Sequence, residues 1–210
     1  MAVKPLEHST HAHLVLALAR QRPLLRARDL AELSVPTVVL SRLVGAGKLE
    51  RLARGVYSLP GSALSEHRSL AEAALRVPHG VVCLQSALRV HGIGTQAPFE
   101  VWMAIPPHTA VPPARSTRTA HALHVWPLLA RRRRDADGRR CDGVTVPVFN
   151  AAKTVADCFK YRNKIGLDVA LEALHDGWRQ RKFTMDALWH YASIDRVANV
   201  MRPYLESVAA

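Results

Sequence analysis

Apolar residues three and four positions apart mark helices, and apolar residues two apart mark strands. The first sixty residues show both patterns in sequence. A first helix is predicted with Ser9 or Thr10 as its cap, Leu14, Ala17 and Leu18 on one face, and Pro23 at its end. "LLRARDLAEL" predicts a second, with Asp29 near its start and Leu30 and Leu33 facing inward. "SVPTVVLSRLVGAGKL" predicts a third. Ser34 can cap it, Pro36 suits its first turn, Val39, Leu40 and Leu43 form the buried stripe, and Gly45 and Gly47 stop it. "KLERLARGVYSLPG" then predicts a hairpin of two short strands. Leu49, Val56, Tyr57 and Leu59 anchor it, and Gly55 permits the turn. Helix, helix, short turn, helix and ribbon is the order of a winged helix-turn-helix. In that module the last helix enters the major groove and the hairpin meets the backbone or the minor groove.

A polar joint, "GSALSEHRS", places a domain boundary near Gly61 and divides the chain into 1–61 and 62–210. The second part mixes periods. Residues 66–76 read as a helix, "GVVCL" as a short strand, and "QSALRVHGIG" as a helix closed by Gly92 or Gly94, with His91 at its end. "FEVWMAIP" is a strong strand with Val101, Met103 and Ile105 on one face and Trp102 on the other. "HALHVWP" and "GVTVPVF" are further strands, and Pro147 points to an edge or a strand end. Beyond it the pattern turns helical. Leu167, Ala170, Leu171, Leu174 and Trp178 share one face, and a last helix carries Pro203 as a kink. The expected class is α+β: a winged helix-turn-helix followed by a mixed α/β domain, with no internal repeat.

Charge alters the picture more than composition does. The chain has 210 residues, 49% of them hydrophobic, which suffices for one or two cores. Its 29 Lys and Arg against 17 Asp and Glu leave a net charge of +12. Such an excess points to a polyanionic partner, nucleic acid first. No run approaches the roughly 18 apolar residues of a spanning helix, and the short apolar run Leu14–Ala19 does not read as a signal peptide. Three widely spaced cysteines, Cys83, Cys141 and Cys158, argue against a disulfide framework or a zinc site and fit a reducing cytoplasm.

The cations cluster in two places. Arg26, Arg28, Arg42, Lys48, Arg51 and Arg54 surround the predicted module. Within the third helix Thr37, Val38, Ser41 and Arg42 are the candidate base-reading set: Ser and Thr serve base edges or phosphates, Arg suits guanine, and Val38 suits a thymine methyl. "RRRRDADGRR" supplies a candidate second basic patch at Arg131, Arg132, Arg133, Arg134, Arg139 and Arg140, read as a solvated loop or hairpin tip between strands. No GxSxG, P-loop, GxGxxG or HExxH occurs. Asp135–Gly138 starts like a calcium loop but lacks the later ligands. His8, His11 and His13 do not have metal-site spacing, and Asp157 reads as helix-associated structure rather than a metal ligand. No catalysis, metal or cofactor is expected. The competing readings are an enzyme that processes nucleic acid and is targeted by the first domain, and an interaction module that grips an acidic partner with Arg131–Arg140.

"RARDLAELSVPTVVLSRLVGAGKLERLARGVYSLPG" resembles the N-terminal winged-helix domain of the AbiEi-family antitoxins, most specifically in "GKLERLARGVYSLP". "CLQSALRVHGIG", "FEVWMAIP" and "VPVFNAAKTVADCFKYRNKIGLDVALEAL" look like that family's second domain, so the resemblance covers about residues 15–175. It implies the antitoxin half of a bacterial type IV toxin–antitoxin (abortive infection) pair. The first domain would bind inverted repeats in double-stranded DNA at its own promoter and repress it, and the second would counter a nucleotidyltransferase-like toxin. Mapped onto this chain, the DNA-contacting set is the exposed face of Pro36–Ala46 and the wing at Arg51–Arg54. Many relatives are orphan regulators with no adjacent toxin. The arginine tract and the last helices match nothing in the family pattern.

Overall fold

The structure is a computed structural model, and it describes residues 5–22, 24–53, 55–61, 66–106, 123–126 and 135–209. The chain is α+β and divides into two compact units. The first gathers Met1–Pro78 with the turn Arg140–Thr145, and the second holds most of the remainder.

Among the described residues of the first unit, the three expected helices and the hairpin come in the expected order, with one further strand that was not expected. α1 (Pro5–Gln21) begins earlier than Ser9 or Thr10, at a proline, whose fixed φ and missing N–H suit a first turn. The segment read as a long second helix is instead a two-residue strand, β1 (Leu25–Arg26), and a five-residue helix, α2 (Ala27–Ala31). β1 exists because β3 is there to pair with it: Leu25 lies opposite Tyr57 and Arg26 opposite Val56. Leu30 is buried, whereas Leu33, expected inward, is 48% exposed. Ser34 does not cap the third helix. It sits at φ 56° just past α2, where the N–H groups of Ser34 and Val35 close on the carbonyls of Ala31 and Leu30. That is the paired hydrogen-bond pattern of a Schellman cap, and a left-handed residue is its requirement.

α3 (Thr37–Gly45) starts at Pro36 and buries Val39, Leu40 and Leu43. It ends in the same kind of cap. Gly47, at φ 67°, donates to Val44 O, and Lys48 N donates to Leu43 O. β2 (Glu50–Ala53) and β3 (Val56–Ser58) form the hairpin, with a bulge between Arg51 and Ala53 and Gly55 at φ 73° in the turn. The sheet order is β1-β3-β2. Val15, Leu25, Leu30, Leu40 and Leu49 are among the residues of this unit's core. α4 (Glu66–Arg76) packs on β2. Its Arg68, 3% exposed, donates to Ser58 Oγ at 2.7 Å and pairs with Glu72 at 3.0 Å. This buried link attaches α4 to the hairpin, so the first unit runs to Pro78 and not to Gly61.

The second unit is built on a five-stranded sheet in the order β6-β5-β4-β8-β7: β4 (Val81–Val82), β5 (Val101–Ala104), β6 (Leu123–Trp126), β7 (Ala136–Cys141) and β8 (Val144–Phe149). β5 runs antiparallel to β4 and parallel to β6. α5 (Leu84–His91) follows β4 and closes on Gly92 at φ 66°. α6 (Ala151–Lys160), α7 (Arg162–Ile165), α8 (Leu167–Arg179), α9 (Met185–Ile194) and α10 (Ala198–Ala209) complete the chain. α10 continues through Pro203. Phe149, Phe159, Leu174, Leu188 and Met201 belong to the core.

Two expectations fail in this sheet. Pro147 does not mark an edge, because β8 lies between β4 and β7. β4 is two residues long and meets β8 at one register position, Val82↔Val148, so that ladder has few bonds to lose. Nor do Arg139 and Arg140 lie in a loop or at a hairpin tip: both are on β7. The turn comes later, at Asp142 (φ 47°) and Gly143 (φ 79°), an Asp-Gly pair with both residues left-handed, as a two-residue hairpin demands.

Candidate nucleic-acid interface

Helical geometry sorts α3 into two sides. At about 100° per residue, Thr37, Ser41, Gly45, Val38 and Arg42 fall within an arc of about 140°. All five are exposed, Val38 by 45%. Val39, Leu40 and Leu43 fill the opposite arc and are at most 6% exposed. The outward arc therefore offers two hydroxyls, one apolar side chain and one guanidinium, and α3 contains no acid. Its buried side is held by α1. The glycine cap then turns the chain so that Lys48 is exposed directly after the helix.

The hairpin presents Arg51 on its exposed face, opposite Tyr57, while Leu52 and Val56 point into the unit. Gly55 fixes the hairpin against α2: its carbonyl accepts the Ala27 N–H at 2.8 Å. A Cβ added there would stand 3.8 Å from the Ala27 side chain, so the left-handed backbone, not crowding, is what requires glycine. Arg54 lies outside the described residues.

The other sequence-nominated cations separate. Arg26 is half-buried. Its Nε donates to Asp29 Oδ2 at 3.0 Å, which makes it part of the first turn of α2. Arg28 stands 3.7 Å from the same carboxylate, yet its side chain is 74% exposed. Arg139 and Arg140 are exposed on β7. Arg131, Arg132, Arg133 and Arg134 lie outside the described residues.

Besides the Arg68–Glu72–Ser58 link, sequence reasoning missed a polar cluster in the second unit. Lys153 and Asp157 sit one turn apart on α6, and Lys153 Nζ donates to Asp157 Oδ1 at 2.5 Å and to Asp195 Oδ2 at 3.4 Å. Asp195 also pairs with Lys160 at 3.4 Å. Lys153 and Asp157 are essentially unexposed, and the ammonium lies 5.1 Å from the centre of the Phe149 ring. Burial pushes the Asp157 carboxyl well up, with Asp195 adding and Lys153 opposing. Burial pulls the Lys153 ammonium down, but Asp157 and Asp195 more than offset it and hold its pKa raised. A Lys four residues before an Asp usually reads as a surface pair. The signal that it is not is the frame of small and apolar residues, "AAKTVADCF". Nearby, buried His91 donates from Nε2 to the Phe149 carbonyl at 2.6 Å, and burial lowers its pKa. Burial likewise raises the Cys83 and Cys158 thiols, and both side chains belong to the core.

Among the described residues no group of three His, Cys, Asp or Glu side chains is placed to hold a metal ion. No helix among them is long and apolar enough to cross a membrane.

What the first unit presents is a small helical core with a two-sided helix, α3, and an adjoining hairpin. Residues 13–60 match a protein family described as a transcriptional regulator, AbiEi antitoxin. The match runs from within α1 through α2 and α3 to the hairpin. Most of the chain is similar in fold to the crystal structure of the RV2827C protein from Mycobacterium tuberculosis. The TM-score is 0.59 at 17% sequence identity, over 88% of this chain and 71% of that one. No curated protein matches the sequence.

Proposed function

We propose that the protein is a DNA-binding transcriptional repressor of the antitoxin type, acting in the bacterial cytoplasm. The first unit would work as a winged helix-turn-helix on an inverted repeat in its own promoter. α3 enters the major groove, where Thr37, Ser41 and Arg42 meet base edges and Val38 meets a thymine methyl. Lys48, Arg51 and Arg54 contact phosphates, and so do Arg26 and Arg28 at the start of α2. The observation that carries this reading is the two-sided α3: its outward arc holds only groups that suit a groove, within a segment matched to a family of transcriptional regulators.

The antitoxin role, in which the second unit counters a nucleotidyltransferase-like toxin, rests on the resemblance of that unit's sequence to the family. The family match itself ends at residue 60. A second reading is an orphan regulator with the same DNA chemistry and no toxin. The neighbouring reading frame decides between them: a nucleotidyltransferase whose toxicity is relieved by co-expression of this chain supports the antitoxin.

DNA binding is tested by mobility shift on the chain's own promoter region at low salt. The wild type should shift it, and affinity should fall steeply with salt. Arg42→Ala should lose about 1–3 kcal/mol of binding to the operator. No shift by the wild type at low salt would sink the proposal.

A further inference from the structure

One cleft is lined wholly by residues of the first unit. Its walls come from the end of α1, α2, the hairpin at Gly55, the end of α4, and the turn between β7 and β8. Its volume is about 1230 Å³. That is above the roughly 300–1,000 Å³ of an ordinary small-molecule pocket, so an extended partner suits it better than a metabolite. Arg22, Arg26, Arg28 and Arg140 line it, with Asp29, Glu32 and Asp142. Asp29 is already engaged by Arg26 at 3.0 Å, with Arg28 3.7 Å away. Arg22, Arg28 and Arg140 are all exposed.

Charge on β7 has a simpler explanation. β7 is an edge strand, and charged side chains on an edge discourage pairing with another chain. Edge protection needs only that Arg139 and Arg140 be charged and solvated. It does not account for a hairpin turn that joins the cleft of α2 and adds a fourth arginine there.

The geometry points to a second phosphate-binding line for double-stranded DNA, formed by Arg140 together with Arg22 and Arg28 along the flank of α2. This rests on the reading of α3 as the recognition helix. In a helix-turn-helix the helix before the recognition helix crosses the sugar–phosphate backbone. Arginines beside α2 therefore stand where phosphates pass, and Arg140 extends that row from a distant part of the chain. Phosphate contacts position a protein without reading sequence. The contribution of Arg140 is accordingly the same on any duplex.

The test is the salt dependence of binding of the full chain to a short mixed-sequence duplex, read by fluorescence anisotropy. Wild type, Arg140→Gln, Arg140→Lys, Arg42→Ala and Arg202→Gln are compared after thermal melts show that each is folded. Losing one phosphate contact flattens the slope of log K against log salt by about 0.9. Arg140→Gln should do this and weaken binding roughly threefold to tenfold at low salt. Arg140→Lys should keep the slope. Arg202→Gln, an equal charge change on α10, should leave it unchanged. If Arg140→Gln instead behaves like Arg202→Gln while the wild type binds and Arg42→Ala weakens binding to the promoter fragment, the phosphate line is overturned and the recognition helix stands. If the wild type binds neither duplex, the recognition reading itself falls, and this inference with it.

Discussion

Among the described residues, three with side chains occupy the left-handed position that closes a helix. Ser34, Arg181 and Arg196 have φ of 56°, 55° and 58°. Each follows a helix whose last carbonyls take the paired bonds of a Schellman cap; for Arg196 these are Arg196 N to Ser193 O and Val197 N to Ala192 O. The conformation costs an L-residue roughly 1–2 kcal/mol. Glycine relieves it, but glycine's extra freedom in the unfolded chain costs about 0.5–1 kcal/mol. The relieved strain outweighs that entropy. Arg196→Gly should therefore stabilise the protein by about 0.5 kcal/mol, measured by urea or thermal unfolding. A destabilised variant would show that the exposed Arg196 side chain contributes more than the strain it imposes.

At the scale of elements, α3 and its hairpin divide one stretch of chain between packing and contact. Tyr57 is half-buried, lies opposite both Leu25 and Arg51, and packs on the first unit's core. It joins β1 to the hairpin. Tyr57→Ala should lower stability by about 1–3 kcal/mol, the usual size for truncating a partly buried core side chain. Arg42→Ala, on the solvent side of α3, should change stability by no more than about 0.5 kcal/mol. Unfolding of both variants in urea separates the roles. Equal losses from the two would contradict the division of α3 into a packed side and a contacting side.

At the scale of the whole molecule, buried charge holds the helices of the second unit in place. Lys153 and Asp157 come from α6, and Asp195 from the end of α9. Removing one member of a buried pair strands the other charge, and about 3–5 kcal/mol is the usual cost. Lys153→Met should cost about that much, and Lys153→Met combined with Asp157→Leu should recover most of it. A double variant no more stable than the single one would show that packing volume, not stranded charge, sets the loss. The sign of the pH effect follows from the raised Lys153 pKa. The stabilisation it brings is complete below the unfolded value of 10.5 and is lost as pH rises through the folded value. Wild type should thus lose stability on the alkaline side above about pH 10.5, and Lys153→Met should lack that component.

Local pattern determined a good deal of this protein by itself. The order of most helices and strands, the α+β class, the inward stripe of α3 and the turn at Gly55 follow from apolar spacing and glycine placement, which act over a few residues. The outward set on α3 was legible for the same reason, since a helix has only two sides to assign. Tertiary structure decided what depends on a distant partner. Leu25 and Arg26 form a strand only because Tyr57 and Val56 lie opposite them. Ser34 closes one helix rather than opening the next because Val35 N reaches back to Leu30 O. β7 is too polar to alternate, and it becomes a strand through the Asp142-Gly143 turn and its pairing with β8. Lys153 has the sequence spacing of a surface pair and becomes a buried charge only where α9 brings Asp195 to it. Arg140 likewise reaches the cleft of α2 only because the hairpin turn carries it there. Periodicity records which side of an element is apolar. It does not record which element, far along the chain, will cover that side or extend it.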